Sequence, residues 1–210
     1  NLLPDAREVG SDPPARPHAC PWMGAMIPHV PEPVTGDIVQ LILDDHRLFE
    51  ALLRELRLDV ANREVLRACF ADVVLAHGEA EEQHVYTSLQ RRRTITAHEA
   101  EHGEAEHAEL NAAILALWEC KGLDTQKFDD AVEEVTKAMS HHIAEEEQSI
   151  LRDADQDLGV EARADLGKVF CAARSKGLAD HIGAEASLRR IVARAEREGL
   201  LPPEDESEEE

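Results

Sequence analysis

The sequence predicts an all-α protein, an antiparallel up-down-up-down four-helix bundle with an additional C-terminal helix. Three observations lead there. All ten prolines fall between positions 4 and 33 or at 202 and 203, so residues 34–201 contain none to interrupt a helix. Within that stretch, apolar residues recur at helical spacing in four long segments joined by short polar breaks. Apolar residues make up 43% of the chain with only two Trp, one Tyr and four Phe, so the core is expected to be built from Leu, Val, Ile and Ala.

The elements follow in order. Residues 1–33 form a proline-rich N-terminal arm of loose or polyproline-like chain. The bundle is expected over 34–155. Its first helix, about 37–58, carries Ile38, Ile42, Phe49, Leu53 and Leu56. A second starts after Asn62, a candidate N-cap, and runs to about 90 through Leu66, Phe70, Val73, Val74, Val85 and Leu89. The third opens on Thr96-x-x-Glu99, a capping-box pattern, and continues through Leu110, Ile114, Leu117 and Trp118 to a stop at Gly122. Thr125 begins the fourth, which passes Phe128, Val132, Val135, Met139 and Ile150 and ends near 152. Short loops make such helices pack antiparallel. Residues 156–200 read as a C-terminal helix, about 161–198, bent by Gly177 and Gly183, that packs on the bundle or joins two copies as a homodimer. Residues 201–210 are an acidic tail, whose like charges favour a solvated chain.

With 22 Lys and Arg against 44 Asp and Glu, the net charge is −22. Such a chain repels phosphate backbones and anionic lipid, so neither a nucleic-acid nor a membrane partner is expected. No run of 18 apolar residues occurs, and the N-terminus lacks the charged-then-apolar plan of a secretory signal. The first residue is Asn rather than Met, so a preceding segment is expected. Cys20, Cys69, Cys120 and Cys171 are widely spaced with no CxxC pair, which points to reduced thiols and a cytoplasmic location.

Histidine spacing carries the chemistry. His77-x-x-x-Glu81 on helix two and His142-x-x-x-Glu146 on helix four each bring an imidazole and a carboxylate to one helix face, since four residues advance about 400° and rise ~6 Å. Both pairs lie on apolar stripes, where an ionisable group is costly unless it is paired or ligates a metal. His46 and His107 sit on the apolar faces of helices one and three. The order His, His-xxx-Glu, His, His-xxx-Glu is thus an internal repeat of two helical hairpins. Counted from the helix ends at ~1.5 Å per residue, all six groups reach one layer of the bundle.

These residues resemble the hemerythrin-like, or HHE cation-binding, family. The resemblance covers about 37–152, rests on His46, His77, Glu81, His107, His142 and Glu146, and extends to the acidic continuations Glu82 and Glu147. It implies a non-heme di-iron centre, with His residues terminating two Fe ions and the two carboxylates bridging them. Mixed imidazole and carboxylate donors also suit Zn or Mn. The function implied is binding of O2, NO or peroxide, as carrier or sensor. Alternatives are a di-iron oxidoreductase that decomposes peroxide or reduces NO, and an iron storage or sensing module. Hemerythrin proper has a further histidine one turn before the helix-three ligand, and Gly103 stands at that position here. One iron is then expected to keep an open position unless His98 or His102 serves.

Other patterns compete for the same roles. His141-x-x-x-Glu145 is a register only about 100° from His142-x-x-x-Glu146. His142 is preferred because Val135, Met139 and Ile150 share its stripe. His98-Glu-Ala-Glu-His102 matches the HExxH zinc-peptidase signature, but it lies in a polar first turn without a following third histidine at the right spacing. His181-x-x-x-Glu185 repeats the spacing with no partner set, and Cys20 is a lone thiol in the arm.

Overall fold

The computed structural model describes residues 35–201, and these are helical with no strand among them. The arm 1–33 with Cys20, and the tail beyond Leu201, lie outside the described residues. Helix α1, Ile38–Leu58, starts on Asp37, whose carboxylate accepts the Val39 N–H at 3.0 Å. A 3₁₀ turn, Val60–Asn62, follows. Asn62 makes no capping bond; its amide donates instead to Asp59 Oδ2 at 2.7 Å. From Arg63 to Arg92 the chain is one rod in three parts: α2, Arg63–Ala80, a π-helical turn, Glu81–Tyr86, and α3, Thr87–Arg92. It stops where Arg93 turns left-handed at φ 64°.

Helix α4, Ala97–Trp118, begins with the capping box that Thr96 and Glu99 predict, both halves of it formed. Helix α5, Gln126–Gln148, begins on Thr125, whose hydroxyl accepts the Phe128 N–H. The fourth predicted helix then breaks at Ser149, whose backbone leaves the helical region at φ −117° and ψ −87°, and α6, Ile150–Asp157, follows it. Where the pattern reads one bent helix over about 161–198, there are two, α7, Val160–Ala179, and α8, Glu185–Glu198. Helix α1 packs on α2, α2 on α4, α4 on α5 and α5 on α1, so four helices close a ring. Helix α7 lies against α1 and α2, and α8 against α4.

The apolar positions predicted from spacing are buried, apart from Trp118, which is half-buried under the Arg67 guanidinium. They form two clusters. One joins Phe49 and Leu56 of α1 to Leu66 and Phe70 of α2, Ile114 of α4 and Val132 of α5. The other joins Ile38 and Ile42 to Val85, Leu89, Ile150 and Phe170. Arg63 closes one end of the bundle by donating to the Leu56 and Leu123 carbonyls and to Asp129.

The turn between α7 and α8 breaks the predicted fifth helix because it docks on α2. The Gly183 N–H donates to Asp72 Oδ1 at 2.9 Å, and a Cβ there would stand 2.3 Å from the Ala71 carbonyl carbon and the Asp72 nitrogen. Two backbones in that proximity leave no room for a side chain. Gly183→Ala should therefore cost about 2–3 kcal/mol of stability in urea denaturation, because backbone rather than a flexible side chain must yield. Gly159→Ala, with nothing within 4 Å, should leave the transition unmoved. Equal midpoints for the two variants would show that the docking is not tight.

Candidate metal centre

The two apolar clusters are separated by a polar layer. His46, His77, Glu81, His107, His142 and Glu146 all lie there, none more than 4% exposed. The four imidazoles are neighbours, with ring centroids 5.6 Å apart for His46 and His77, 6.0 Å for His46 and His142, and 4.7 Å for His107 and His142. Their donor atoms fall into two groups, His46, His77 and Glu146, and Glu81, His107 and His142, each with its atoms within 4.8 Å of one another. Glu81 spans the groups: Oε1 lies 3.0 Å from His77 Nε2 and Oε2 lies 3.4 Å from His107 Nε2. Glu146 Oε2 faces both His46 Nε2, at 3.2 Å, and His142 Nε2, at 3.9 Å.

Each of these histidines turns its other nitrogen to a carboxylate on the next helix. His77 Nδ1 meets Asp45 at 3.0 Å, His107 Nδ1 meets Glu82 at 2.9 Å, His142 Nδ1 meets Glu106 at 3.5 Å, and His46 Nδ1 meets Glu147 at 2.9 Å. An ionised carboxylate only accepts, so each Nδ1 carries the hydrogen and each Nε2 presents its lone pair inward. Buried carboxylate–imidazole pairs of this kind hold metal-ligating histidines in orientation and raise their basicity. Every supporting carboxylate is the sequence neighbour of a predicted ligand: Asp45 of His46, Glu82 of Glu81, Glu106 of His107, Glu147 of Glu146. That adjacency was the available signal. Spacing within one helix does not tell which histidine of the next helix each acid serves.

The inward atoms are close yet not hydrogen-bonded. His46 Nε2, His77 Nε2, His107 Nε2, both Glu81 oxygens and Glu146 Oε2 are buried with no hydrogen-bond partner. Their separations are those of ion pairs, yet the geometry makes no hydrogen bond between them. Among the described residues no Arg or Lys pairs with Glu81 or Glu146. Two fully buried carboxylates without a cation would cost several kcal/mol each. Without metal, protons fill that place. Burial disfavours the His77 imidazolium, but Glu81 and Asp45 outweigh it and push its pKa up to about 9. Burial likewise opposes charge on His46 and His107, and Glu146 for the one and Glu81 with Glu82 for the other raise them above the usual histidine range. Burial raises Glu81, yet His77 and His107 hold it well below the usual carboxylate range. The residues present thus fit a pair of cations.

The sequence model of one protein family, described as hemerythrin HHE cation binding domain, matches residues 37–154. The chain belongs to the hemerythrin HHE cation-binding family. No curated protein and no solved structure gives a significant match to it. Membership makes this helical domain a metal-binding one, typically for iron, and the buried His and Glu groups are where a metal could be held.

Against Gly103, beside which a position is expected to stand open, packs a residue that α-helical counting misses. Tyr86 is 1% exposed, stacks on His107 at 5.9 Å and donates its hydroxyl to Glu146 Oε1 at 3.1 Å. In an α-helix Tyr86 would lie about 140° from the face of Glu81. The π turn, Glu81–Tyr86, widens the spiral so that a residue five beyond Glu81 returns to that face. A Cβ on Gly103 would meet the Tyr86 ring at 3.0–3.2 Å, so a histidine there would have to displace the phenol. Burial, then the Glu146 and Glu81 charges, keep Tyr86 protonated far above its ordinary range.

The remaining histidine patterns resolve by burial. His142 and Glu146 face the layer, whereas His141 and Glu145 are exposed. His98 and His102 are exposed as well, and Glu99 between them is committed to the Thr96 N–H and hydroxyl, so the HExxH set does not converge. His181 bonds Asp72 rather than Glu185.

Helix α7 lies beyond the matched residues and still reaches the centre. Arg174, fully buried, donates through Nε and Nη2 to both oxygens of Asp45 at 2.5 and 2.6 Å, and Phe170 sets its ring edge-on to His77 at 5.5 Å. Burial raises the Asp45 carboxyl, but His77 and Arg174 hold it below its ordinary value. Breaking this buried pair leaves an uncompensated charge, so Arg174→Met should lose about 3–5 kcal/mol in urea denaturation. The double variant Asp45→Asn, Arg174→Met should lose clearly less than the two single losses added together. Additive losses would mean the two residues act independently.

Proposed function

We propose that this hemerythrin-family protein holds two irons, with His46 and His77 terminating one, His107 and His142 the other, and Glu81 and Glu146 bridging them. The four helices that carry these residues are read as an up-down-up-down bundle. The function is binding of O2, NO or peroxide, as carrier or sensor, in the cytoplasm. The observation that carries the reading is the set of buried, inward-facing Nε2 and carboxylate atoms with no hydrogen-bond partner. Imidazole and carboxylate donors suit Fe, and also Zn or Mn. No helix among the described residues is long and apolar enough to cross a membrane, and Cys120 and Cys171 are free and buried thiols.

When bound, an iron pair supplies electrons and an exchangeable coordination position for a small oxidant or NO. The chain's own residues shape access to it. A cavity of about 160 Å³, lined by Tyr86, Gly103, Glu106 and Glu146, leads from the surface toward the layer and is large enough for a diatomic ligand or peroxide. The two apolar clusters exclude water from the other sides. The second reading, an oxidoreductase processing peroxide or NO, draws on Tyr86, a phenol kept protonated beside that cavity, whose hydroxyl hydrogen now rests on Glu146 Oε1. Self-association through the C-terminal helices belongs to the same reading, since Val160 and Val169 of α7 are exposed.

Metal analysis with an optical spectrum of the aerobic protein tests the iron assignment, because an oxo-bridged iron pair has a chromophore that zinc lacks. Reversible O2 uptake without peroxide or NO turnover favours the carrier or sensor, and turnover favours the enzyme. His77→Ala and His142→Ala should each lower metal content and the thermal midpoint together, while His98→Ala leaves both unchanged. Full metal retention in the first two variants would overturn the centre.

Proton linkage gives an independent readout. In the metal-free chain, protonated His77 contributes stability that is fully present below its ordinary pKa of 6.5 and is lost as pH rises through about 9. A cation takes that proton's place, so metal uptake at pH 7 should release protons and weaken as the buffer is acidified. Calorimetric titration in buffers of different ionisation enthalpy measures the release. No release at pH 7 would contradict the ligand role of His77.

A further inference from the structure

Four carboxylates hold the four inner histidines from behind, and among the described residues a basic side chain neutralises only one of them. Asp45, behind His77, gives both its oxygens to the fully buried Arg174. Glu82 behind His107, Glu106 behind His142 and Glu147 behind His46 pair with no Arg or Lys there. Arg194 lines the same surface cavity as Glu82, but it pairs with Glu79 and Glu198. Exposure divides the acids in the same sense. The Glu106 and Glu82 side chains are 8% and 23% exposed, whereas Glu147 is 40% exposed. The inner donors form two groups, His46 with His77 and Glu146, and His107 with His142 and Glu81. Behind the first group stand one cancelled charge and one that water screens; behind the second stand two uncancelled charges that water reaches less. Asp45 Oδ2 also divides itself between Arg174 Nε and His77 Nδ1, so it polarises that imidazole less than an unshared carboxylate does.

We propose that the two metal positions are inequivalent and that Arg174 makes them so: the position of His107, His142 and Glu81 takes the first divalent cation and holds it firmly, and the position of His46, His77 and Glu146 takes the second and holds it weakly. The proposal rests on the buried centre being a two-metal site. Helix α7 imposes the difference from beyond the matched residues, because it packs on α1 and α2, the helices that carry His46 and His77. The firmly held cation is the one beside the cavity. Tyr86 on the cavity wall stacks on His107, and Glu106 on the same wall holds His142. At limiting metal the chain therefore carries a single cation on the side that a small ligand reaches, and the cation at the back is the one that exchanges. Mutual repulsion between two cations gives two binding steps even in a symmetric centre, so the order of filling is what distinguishes the two cases.

Wild-type chain stripped of metal and given one equivalent of Zn(II) should shift the NMR ring resonances of His107 and His142, while those of His46 and His77 move only with the second equivalent. Equal movement of all four rings at the first equivalent, or His46 and His77 moving first, would overturn the inequivalence and leave the centre standing. That measurement requires no variant to fold. In calorimetric titration with Zn(II), Arg174→Gln should tighten the second step roughly tenfold and leave the first in place, because the Asp45 charge then acts uncancelled on that position. Arg174→Lys, which keeps the charge, should retain the wild-type steps. A second step unmoved in Arg174→Gln, or moved as far in Arg174→Lys, would overturn the role of Arg174. Uptake of one Zn(II) in total would overturn the two-metal reading, and no uptake at all the centre itself.

Discussion

Two carboxylates with no Arg or Lys partner among the described residues lie fully buried in the middle of a helical bundle, and most of the structure answers to that constraint. Glu81 and Glu146 sit where the chain could have placed Leu, between two apolar clusters that continue the core above and below them. Charge in such a layer is tolerable only with counter-charge at the same depth. Four imidazoles surround them, and of these His46, His77 and His107 are raised in pKa by the carboxylates beside them. The packing around them keeps each ring at one orientation.

Orientation comes from a closed relay around the bundle. Asp45 of α1 holds His77 of α2, Glu82 of the π turn holds His107 of α4, Glu106 of α4 holds His142 of α5, and Glu147 of α5 returns to His46 of α1. The order of that relay is the order in which the helices pack. Adjacent residues on a helix point about 100° apart, so a ligand aimed at the axis has a neighbour aimed along the seam with the next helix. The same dipeptide therefore builds the centre and locks two helices in register. Rotation of one helix breaks a bond on each side, which makes the site and the bundle one cooperative unit.

Helix α7 extends that unit beyond the matched domain. Arg174 neutralises Asp45 inside the protein, and Asp45 in turn fixes the His77 tautomer. Helix α7 is therefore a part of the site's support rather than an appendage. Its placement depends on the turn in which Gly183 presses against the backbone of α2, so a contact remote from the layer contributes to how firmly Asp45 is held.

Periodicity determined which residues of one helix share a face, because 3.6 residues per turn is a local property of the backbone. From that alone come the all-helical class, the caps at Thr96 and Thr125, the buried apolar stripes, and the gathering of His46, His77, Glu81, His107, His142 and Glu146 in one layer, with His142 and Glu146 buried rather than His141 and Glu145. Spacing carries no information about the neighbouring helix. Only the tertiary structure decided that the acids beside the ligands serve histidines across the seams, and that Arg174 reaches Asp45 from 129 positions away in the chain. It also decided the breaks at Ser149 and before α8, where helices had to turn to cover the bundle. The clearest case is Tyr86: a π turn rotates that phenol into the place that α-helical arithmetic left open beside Gly103. Spacing does not reveal such a turn, since no local propensity distinguishes one extra residue in a long helix from none.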